Sequence, residues 1–417
     1  MLKRISSSDL RVGMFIEEFC GSWMDHPFWR ARFLVMDDEQ LDRVRQSGVS
    51  ELWIDASKGL DVDGEKAKVA VADRDAANAR IEAQLKHMAA EAERKAKQPQ
   101  DLDSELQKAS KIFRESRKVV VDMFGEARMG SVRSTTAAGA VVDNIADSVA
   151  RHPTAMIGLA RLKTADDYTF MHSMAVCALM VSLARTLDFD EEQVRVAGMA
   201  GLLHDVGKAQ IPLSILNKAG TLDEEEWKAM RSHPERGALM LRGTDGVTEA
   251  VLDAVLHHHE KIDGSGYPHH LPGEQISVLA KMAAVCDVYD AITSDRPYKP
   301  GWQPTIAVRK MTEWVGHFDN TLFKAFVRTV GIYPIGSLVR LKSQRLAVVV
   351  DHDPTHLLQP TVKAFFSLRS KMYIQPTLVK LDRETSGDKI VGFEDPAAHG
   401  ITRLEDIWVP PDAVLPA

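Results

Sequence analysis

Cysteine is scarce: Cys20, Cys177 and Cys286 are the only three in 417 residues. They are too few and too scattered for a disulfide framework, which argues for a reducing compartment. An unbroken apolar run of the ~18 residues that a membrane span needs is also missing. The N-terminal MLKRISSSDLRVGMF has no apolar stretch of signal-peptide length. Positive charge is not in excess either, since 52 Lys+Arg against 59 Asp+Glu give a formal net charge of −7. Unspecific attraction to nucleic acid or to an anionic membrane is therefore disfavoured, and a polyanion would have to be met in a local pocket. These absences describe a cytoplasmic protein with no nucleic-acid partner and no membrane partner.

What is present is ordinary in bulk and unusual in one residue. Hydrophobic residues at 45% and charged residues at 27% fit a globular chain whose length suggests two or three domains. Of fifteen histidines, however, eight fall between His172 and His270, embedded in apolar helical patterns and not in a tag-like run. Clustering of that kind points to a metal site.

Four segments follow from the patterning. Residues 1–63 alternate short apolar runs with turns and read as a small α/β or β-rich regulatory domain. Its rings, Phe15, Phe19, Trp23, Phe28, Trp29, Phe33 and Trp53, are expected to build the small core. Residues 64–103 shift to Ala, Glu, Lys, Arg and Asp, a charged helical connector. There Ile81, Leu85 and Met88 offer a coiled-coil seam of fewer than three heptads to a homodimer. Residues 104–333 are helical throughout, with an all-apolar stretch at 174–184 and capping boxes expected at Thr221-x-x-Glu224 and Ser232-x-x-Glu235. Residues 334–417 return to short β-branched runs, a small β-rich appendix. The fold class is mainly α, with an α/β start and a β end.

Helix phase sorts the histidines of the third segment. After Gly246 the apolar stripes run into His258 and His259, whereas His257 follows Glu249 and Asp253 and should face solvent. Leu279, Ala283, Cys286, Asp287 and Asp290 share one face, which puts two carboxylates on a buried stripe, and a cation is the simplest compensation. His204-Asp205 ends an apolar helix before Gly207, expected as a helix stop. His233 opens a helix before Pro234. With His172, five imidazoles and the carboxylates exceed what one tetrahedral ion accepts beside a substrate. Two divalent ions bridged by Asp205 would use them all, and such a pair can activate water against a phosphoester. The donors suit Fe, Mn, Zn or Ni without choosing among them.

The strings LLHDVGKAQIP, HHEKIDGSGYP and CDVYDAITSDRPYKP resemble the HD-GYP domain, a helical metal-dependent phosphohydrolase family associated with hydrolysis of cyclic di-GMP. The resemblance covers about 150–330. It implies His172, His204, Asp205, His233, His258, His259 and Asp287 as metal positions, with Asp205 and Lys208 at the chemistry. Lys208, Tyr267, Asp290, Arg296 and Lys299 are implied on the substrate side, Asp290 equally as a group orienting a ligand histidine. It further implies cleavage of cyclic di-GMP to linear pGpG, with onward cleavage to GMP left open, and signalling partners met through the GYP loop or the N-terminal domain. The other readings are a non-catalytic dinucleotide sensor, disfavoured by the complete ligand set, and a phosphohydrolase of another nucleotide. Some members look to hold a third ion through a Glu one turn before the first ligand. Tyr168 stands there, with Asp166 and Asp167 off that face, so two ions are expected.

Overall fold

The computed structural model describes residues 2–20, 33–46, 51–56, 58–60, 102–132, 134–161, 168–218, 220–294, 301–353, 356–381 and 387–413. The chain divides into two compact units, Met1–Glu91 with Thr312–His317 and Ala92–Met311 with Phe318–Ala417. The coiled-coil seam expected at Ile81, Leu85 and Met88 lies outside the described residues.

The first unit is an antiparallel sheet in the order β1 (Leu2–Ser6), β4 (Glu51–Asp55), β2 (Phe15–Cys20), β3 (Phe33–Leu34), with helix α1 (Asp38–Gln46). Period-two alternation buries Leu52 and Ile54 of β4, and Ile54 pairs Ile16 across the sheet. The core is Ile5, Leu10, Met14, Ile16, Val35, Leu41, Val44, Leu52 and Ile54. Among the described residues this core is aliphatic, and two of the expected rings stand outside it. Phe15 and Trp53 alternate out of it and are only half-buried. The side chains of Phe19, Trp23, Phe28, Trp29 and Phe33 lie outside the described residues.

The second unit opens on α2 (Leu102–Arg128), α3 (Thr136–Arg151) and α4 (Pro153–Ala160), followed by α5 (Tyr168–Thr186) and α6 (Glu191–Leu203). Among the described residues α5 alone is long and apolar enough to cross a membrane, but most of it is buried against its neighbours, as a core helix is. Gly201 of α6 lets the two helices close, because a Cβ there would stand 2.9 Å from Cys177 Cα. That approach carries His172 of α5 toward the end of α6.

A 3-10 turn (Val206–Gln210) and α7 (Leu213–Leu216) lead into α8 (Glu224–Arg231), α9 (His233–Leu241), α10 (Glu249–His257), α11 (Val278–Thr293), α12 (Pro304–Glu313) and α13 (Asn320–Val330). The capping boxes shift from expectation. Asp223, not Thr221, caps α8 reciprocally with Glu226. Ser232 precedes α9 without capping it, since its hydroxyl donates backward to the Ala229 carbonyl.

Strands β5 (Leu338–Leu341), β6 (Arg345–Asp351), β7 (Thr361–Ser367), β8 (Met372–Lys380) and β9 (Ile390–Phe393) form an antiparallel sheet in the order 8-7-6-5-9. It belongs to the helical unit. Thr154 of α4 donates to Asp351 at 3.0 Å, and Gln107 of α2 donates to Asp412 at 2.7 Å.

Candidate metal centre

Five segments deliver seven side chains to one place. His172 projects from α5, His204 is the residue after α6, and Asp205 begins the 3-10 turn. His233 opens α9, His258 and His259 follow the end of α10, and Asp287 sits on α11. Gly207 does more than stop a helix. A Cβ there would stand 1.9 Å from the His233 carbonyl oxygen and 2.6 Å from Gly237 N, so only glycine lets the Asp205 turn lie against the start of α9.

The donors form two groups, Asp205, His233, His258 and His259 in one and His172, His204 and Asp287 in the other, with the donor atoms of each group within 4.8 Å of one another. Asp205 joins them. Its Oδ1 lies 3.2 Å from His233 Nε2, while its Oδ2 lies 3.3 Å from both His172 Nε2 and His204 Nε2. Asp287 Oδ1 stands 3.1 Å from His172 Nε2 and its Oδ2 3.8 Å from His259 Nδ1. All seven are buried except His259, which is half-buried.

The outer nitrogens determine which way the lone pairs point. His204, His233 and His258 each place Nδ1 2.8 Å from the carbonyl three residues earlier, those of Gly201, Met230 and Val255. His172 Nδ1 lies 2.6 Å from Asp290 Oδ2. A carbonyl accepts only, so Nδ1 of the three carries the proton and Nε2 turns a lone pair inward. Yet the Nε2 atoms of His172 and His204 are 3.2 Å apart, as are those of His233 and His258. Asp205 Oδ1 meanwhile is buried without a hydrogen-bond donor. Converging lone pairs and an orphaned carboxylate oxygen need positive charge between them, and this donor set fits divalent transition-metal ions.

Electrostatics points the same way. Burial opposes ionisation of Asp205, but the Lys208 and His204 charges outweigh it and hold the carboxyl well below the usual range. Asp287 is likewise held low against burial by its bonds to His172 and His204. Burial also works against a proton on His204, yet Asp205 and Asp287 lift it to about 9. His258 is pushed down to about 3, by burial first and then by His204 and His233. The His258 side therefore keeps its imidazole neutral, while the His204 side, set between two carboxylates, favours positive charge, a proton on the imidazole where no metal ion takes its place.

Lys208 Nζ reaches Asp205 Oδ2 and is partly open to solvent. Asp290 lies behind His172, bonded to its outer nitrogen and buried, so the expectation that it meets substrate gives way to the orienting role. Tyr267 stacks on His259, with centroids 4.7 Å apart and planes at 28°. Burial, then Asp287 and Asp205, raise its hydroxyl pKa well above the usual value, so it remains a phenol. Arg296 and Lys299 lie outside the described residues, as do Asp166, Asp167 and the side chain of Tyr168.

His257 stands outside both groups, bonded to Asp253 at 2.8 Å and to His269 at 2.9 Å. It is half-buried rather than solvated. The reason given for His259 needs correction too. α10 ends at His257, so His259 reaches the site from the turn beyond the helix and not by continuing a stripe.

Two features went unread in the sequence. Glu260 is buried, accepts from His269 N at 2.6 Å and Leu271 N at 3.1 Å, and so ties down both ends of the turn after Tyr267-Pro268. A charged residue directly after two ligand histidines was its signal. Arg231 holds its guanidinium over the rings of Tyr267 and Trp227. Its only signal was a position two residues before His233.

A family model described as HD domain matches residues 143–322, and one described as Domain of unknown function (DUF3391) matches residues 2–138. The cyclic di-GMP phosphodiesterase PA4108 of Pseudomonas aeruginosa is 50% identical over 415 residues, 98% of this chain and 96% of its own. The cyclic di-GMP phosphodiesterase response regulator RpfG of Xanthomonas campestris is 40% identical over 179 residues, 41% of this chain and 47% of its own. The 3'3'-cGAMP-specific phosphodiesterase 1 of Vibrio cholerae is 34% identical over 163 residues, 39% of this chain and 38% of its own.

Proposed function

The chain belongs to the HD-domain family of cyclic di-GMP phosphodiesterases, and we propose that it cleaves cyclic di-GMP to linear pGpG at a site where His172, His204, Asp205, His233, His258, His259 and Asp287 hold two divalent ions. The observation that carries the two-ion reading is Asp205. One of its oxygens faces each donor group, and the oxygen toward His233 has no donor of its own. Bound there, the ions would supply a water of lowered pKa and a clamp for phosphate oxygens.

The side chains of this protein do the rest. Three carbonyls and Asp290 fix the imidazoles with Nε2 inward, so the donor set is preorganised and binding pays little reorganisation. Burial of the carboxylates keeps bulk water from screening them. Lys208 is a compact point charge that can turn from Asp205 toward a phosphate oxygen of the substrate. Tyr267, kept protonated and stacked on His259, offers a ring and an O–H at the edge of the site. Arg296 and Lys299 would add charge for the second phosphate or a guanine edge.

Turnover of cyclic di-GMP by the purified chain, with Fe, Mn, Zn or Ni added back in turn, tests this. The products are resolved as pGpG and GMP, and the metal is counted by elemental analysis. Release of pGpG with two ions per chain is expected. Binding of the dinucleotide with no product under any metal would make the protein a sensor and overturn the proposal. Three tightly held ions in the wild type would overturn the count.

A further inference from the structure

A line of rings and charge leads outward from the metal ligands along residues with no part in holding a cation. It starts at His259, stacked on Tyr267, and continues through the Arg231 guanidinium, 5.8 Å from the Tyr267 centroid and 5.5 Å from that of Trp227. Trp227 and Arg231 are one helical turn apart near the end of α8, so they share a face. Arg231 is exposed while Trp227 and Tyr267 are half-buried, an arrangement open on the side where a ligand would approach. Among the described residues, Lys208 is paired with Asp205 and Arg236 donates to the Gln210 carbonyl. Among the described residues no carboxylate is paired with Arg231. A guanidinium held over π faces keeps its N–H edge free to donate in its own plane.

We infer that Trp227 and Arg231 form a purine subsite that recognises guanine: the base stacks on the Trp227 ring and the Arg231 fork donates to guanine O6 and N7. Of the bases, only guanine offers that pair of acceptors to a guanidinium, since adenine carries an amino donor in place of O6. The rings give the subsite its affinity, because base-on-aromatic stacking tolerates any base, and the fork gives it the preference. Tyr267, stacked on His259 and lying under the Arg231 guanidinium, joins this line to the metal site. The inference rests on the proposed cyclic di-GMP hydrolysis and names a residue pair that would help to choose this substrate.

The test compares cyclic di-GMP with its 7-deazaguanine analogue, which loses the N7 acceptor and keeps the shape, the charge and O6. In the wild-type holoenzyme the analogue should raise KM about tenfold, the lower end for one bidentate base contact. In Arg231→Ala the two substrates should have the same KM, already raised by about that factor, with kcat within about twofold and metal content unchanged. Arg231→Lys keeps a cation over both rings without the fork and should also lose the discrimination, which secures the test if the alanine variant folds poorly. An analogue penalty equal in wild type and both variants would overturn the inference and leave Arg231 a phosphate or structural contact. So would the absence of any penalty in the wild type. Failure of the wild type to hydrolyse cyclic di-GMP would instead overturn the activity itself, a result distinct from either.

Discussion

Two carboxylates in the helical unit are almost wholly out of solvent, Glu105 at 0% and Asp205 at 1%, and they are treated in opposite ways. Glu105 of α2 receives Arg151 Nε at 3.1 and 3.0 Å, Arg151 Nη2 at 2.9 Å and the Ser148 hydroxyl at 3.0 Å. Each oxygen has donors, and the group is an architectural brace between α2 and α3. Asp205 has Lys208 on one oxygen and no donor on the other, which lies toward His233 and His258, whose Nδ1 atoms are turned to backbone carbonyls. A buried charge costs several kcal/mol unless compensated, so the fold tolerates Asp205 only where something else arrives. Closed compensation marks structure, and open compensation marks a binding site.

The largest effect should come from Asp205→Ala. It removes the carboxylate that lies within 3.3 Å of imidazoles of both donor groups, so both ions should be lost together and turnover should fall about a thousandfold or more. Added metal should raise the melting temperature of the wild type, since an ion at a hundred times its Kd stabilises by about 2.7 kcal/mol, and should not move that of the variant. A variant that keeps two ions and wild-type turnover would remove the contrast with Glu105. Asp290→Asn comes next. It leaves His172 in place but weakens its orienting partner, and metal affinity should drop about 10- to 100-fold at otherwise normal stability. An unchanged affinity by competition with a chelator would show that α5 alone aims the ring.

Only the Asp205 half of this contrast could be read from the sequence, for reasons that particular residues show. The cluster of imidazoles and carboxylates was legible because chemistry and period coincide. Asp287 and Asp290 fall on an otherwise apolar face of α11, and a carboxylate on such a face demands an explanation. The β-rich ends were legible from alternation, as in Leu52 and Ile54. Turns were less so. His259 falls in the cluster from a turn beyond a helix that has already ended, not from a continuing stripe, and Gly207 is needed for backbone contact with His233 more than as a stop. Both depend on neighbours distant in sequence. Glu105 was not visible at all, because its partners Ser148 and Arg151 lie more than forty residues away.

Glu105→Gln should separate the two sites by pH. Burial works against ionisation of Glu105, but Arg151 and Ser148 prevail and its pKa is lowered. A depressed carboxyl contributes stability above its unfolded value, near 4.5, and loses it as pH falls through the folded value. At neutral pH the variant should be less stable by roughly 2 kcal/mol. That is in the range for hydrogen bonds to a charged group, trimmed because the Arg151 side chain is 34% exposed. The deficit should shrink below about pH 4, with metal content and KM unchanged throughout. Denaturant unfolding at pH 7 and pH 3.5 decides it, and a deficit that grows toward low pH would contradict the assignment.

The smallest effect should be that of His257→Ala, although it stands beside two residues of the candidate metal group. His257 is the last residue of α10 and bonds to Asp253 and His269, whereas His258 and His259 belong to the Asp205 group. Its removal takes away two hydrogen bonds at a half-buried position, worth about 1 kcal/mol in sum, and no lone pair directed at a cation. Turnover should stay within about threefold of wild type and two ions should remain. His259→Ala should lose the ion of its group. The two variants remove the same atoms two positions apart, so their difference isolates where the lone pair points from how much side chain is lost. Equal metal loss in both would mean that His257 holds the turn on which His258 and His259 stand. The brace and the binding site, kept apart at Glu105 and Asp205, would then meet in one residue.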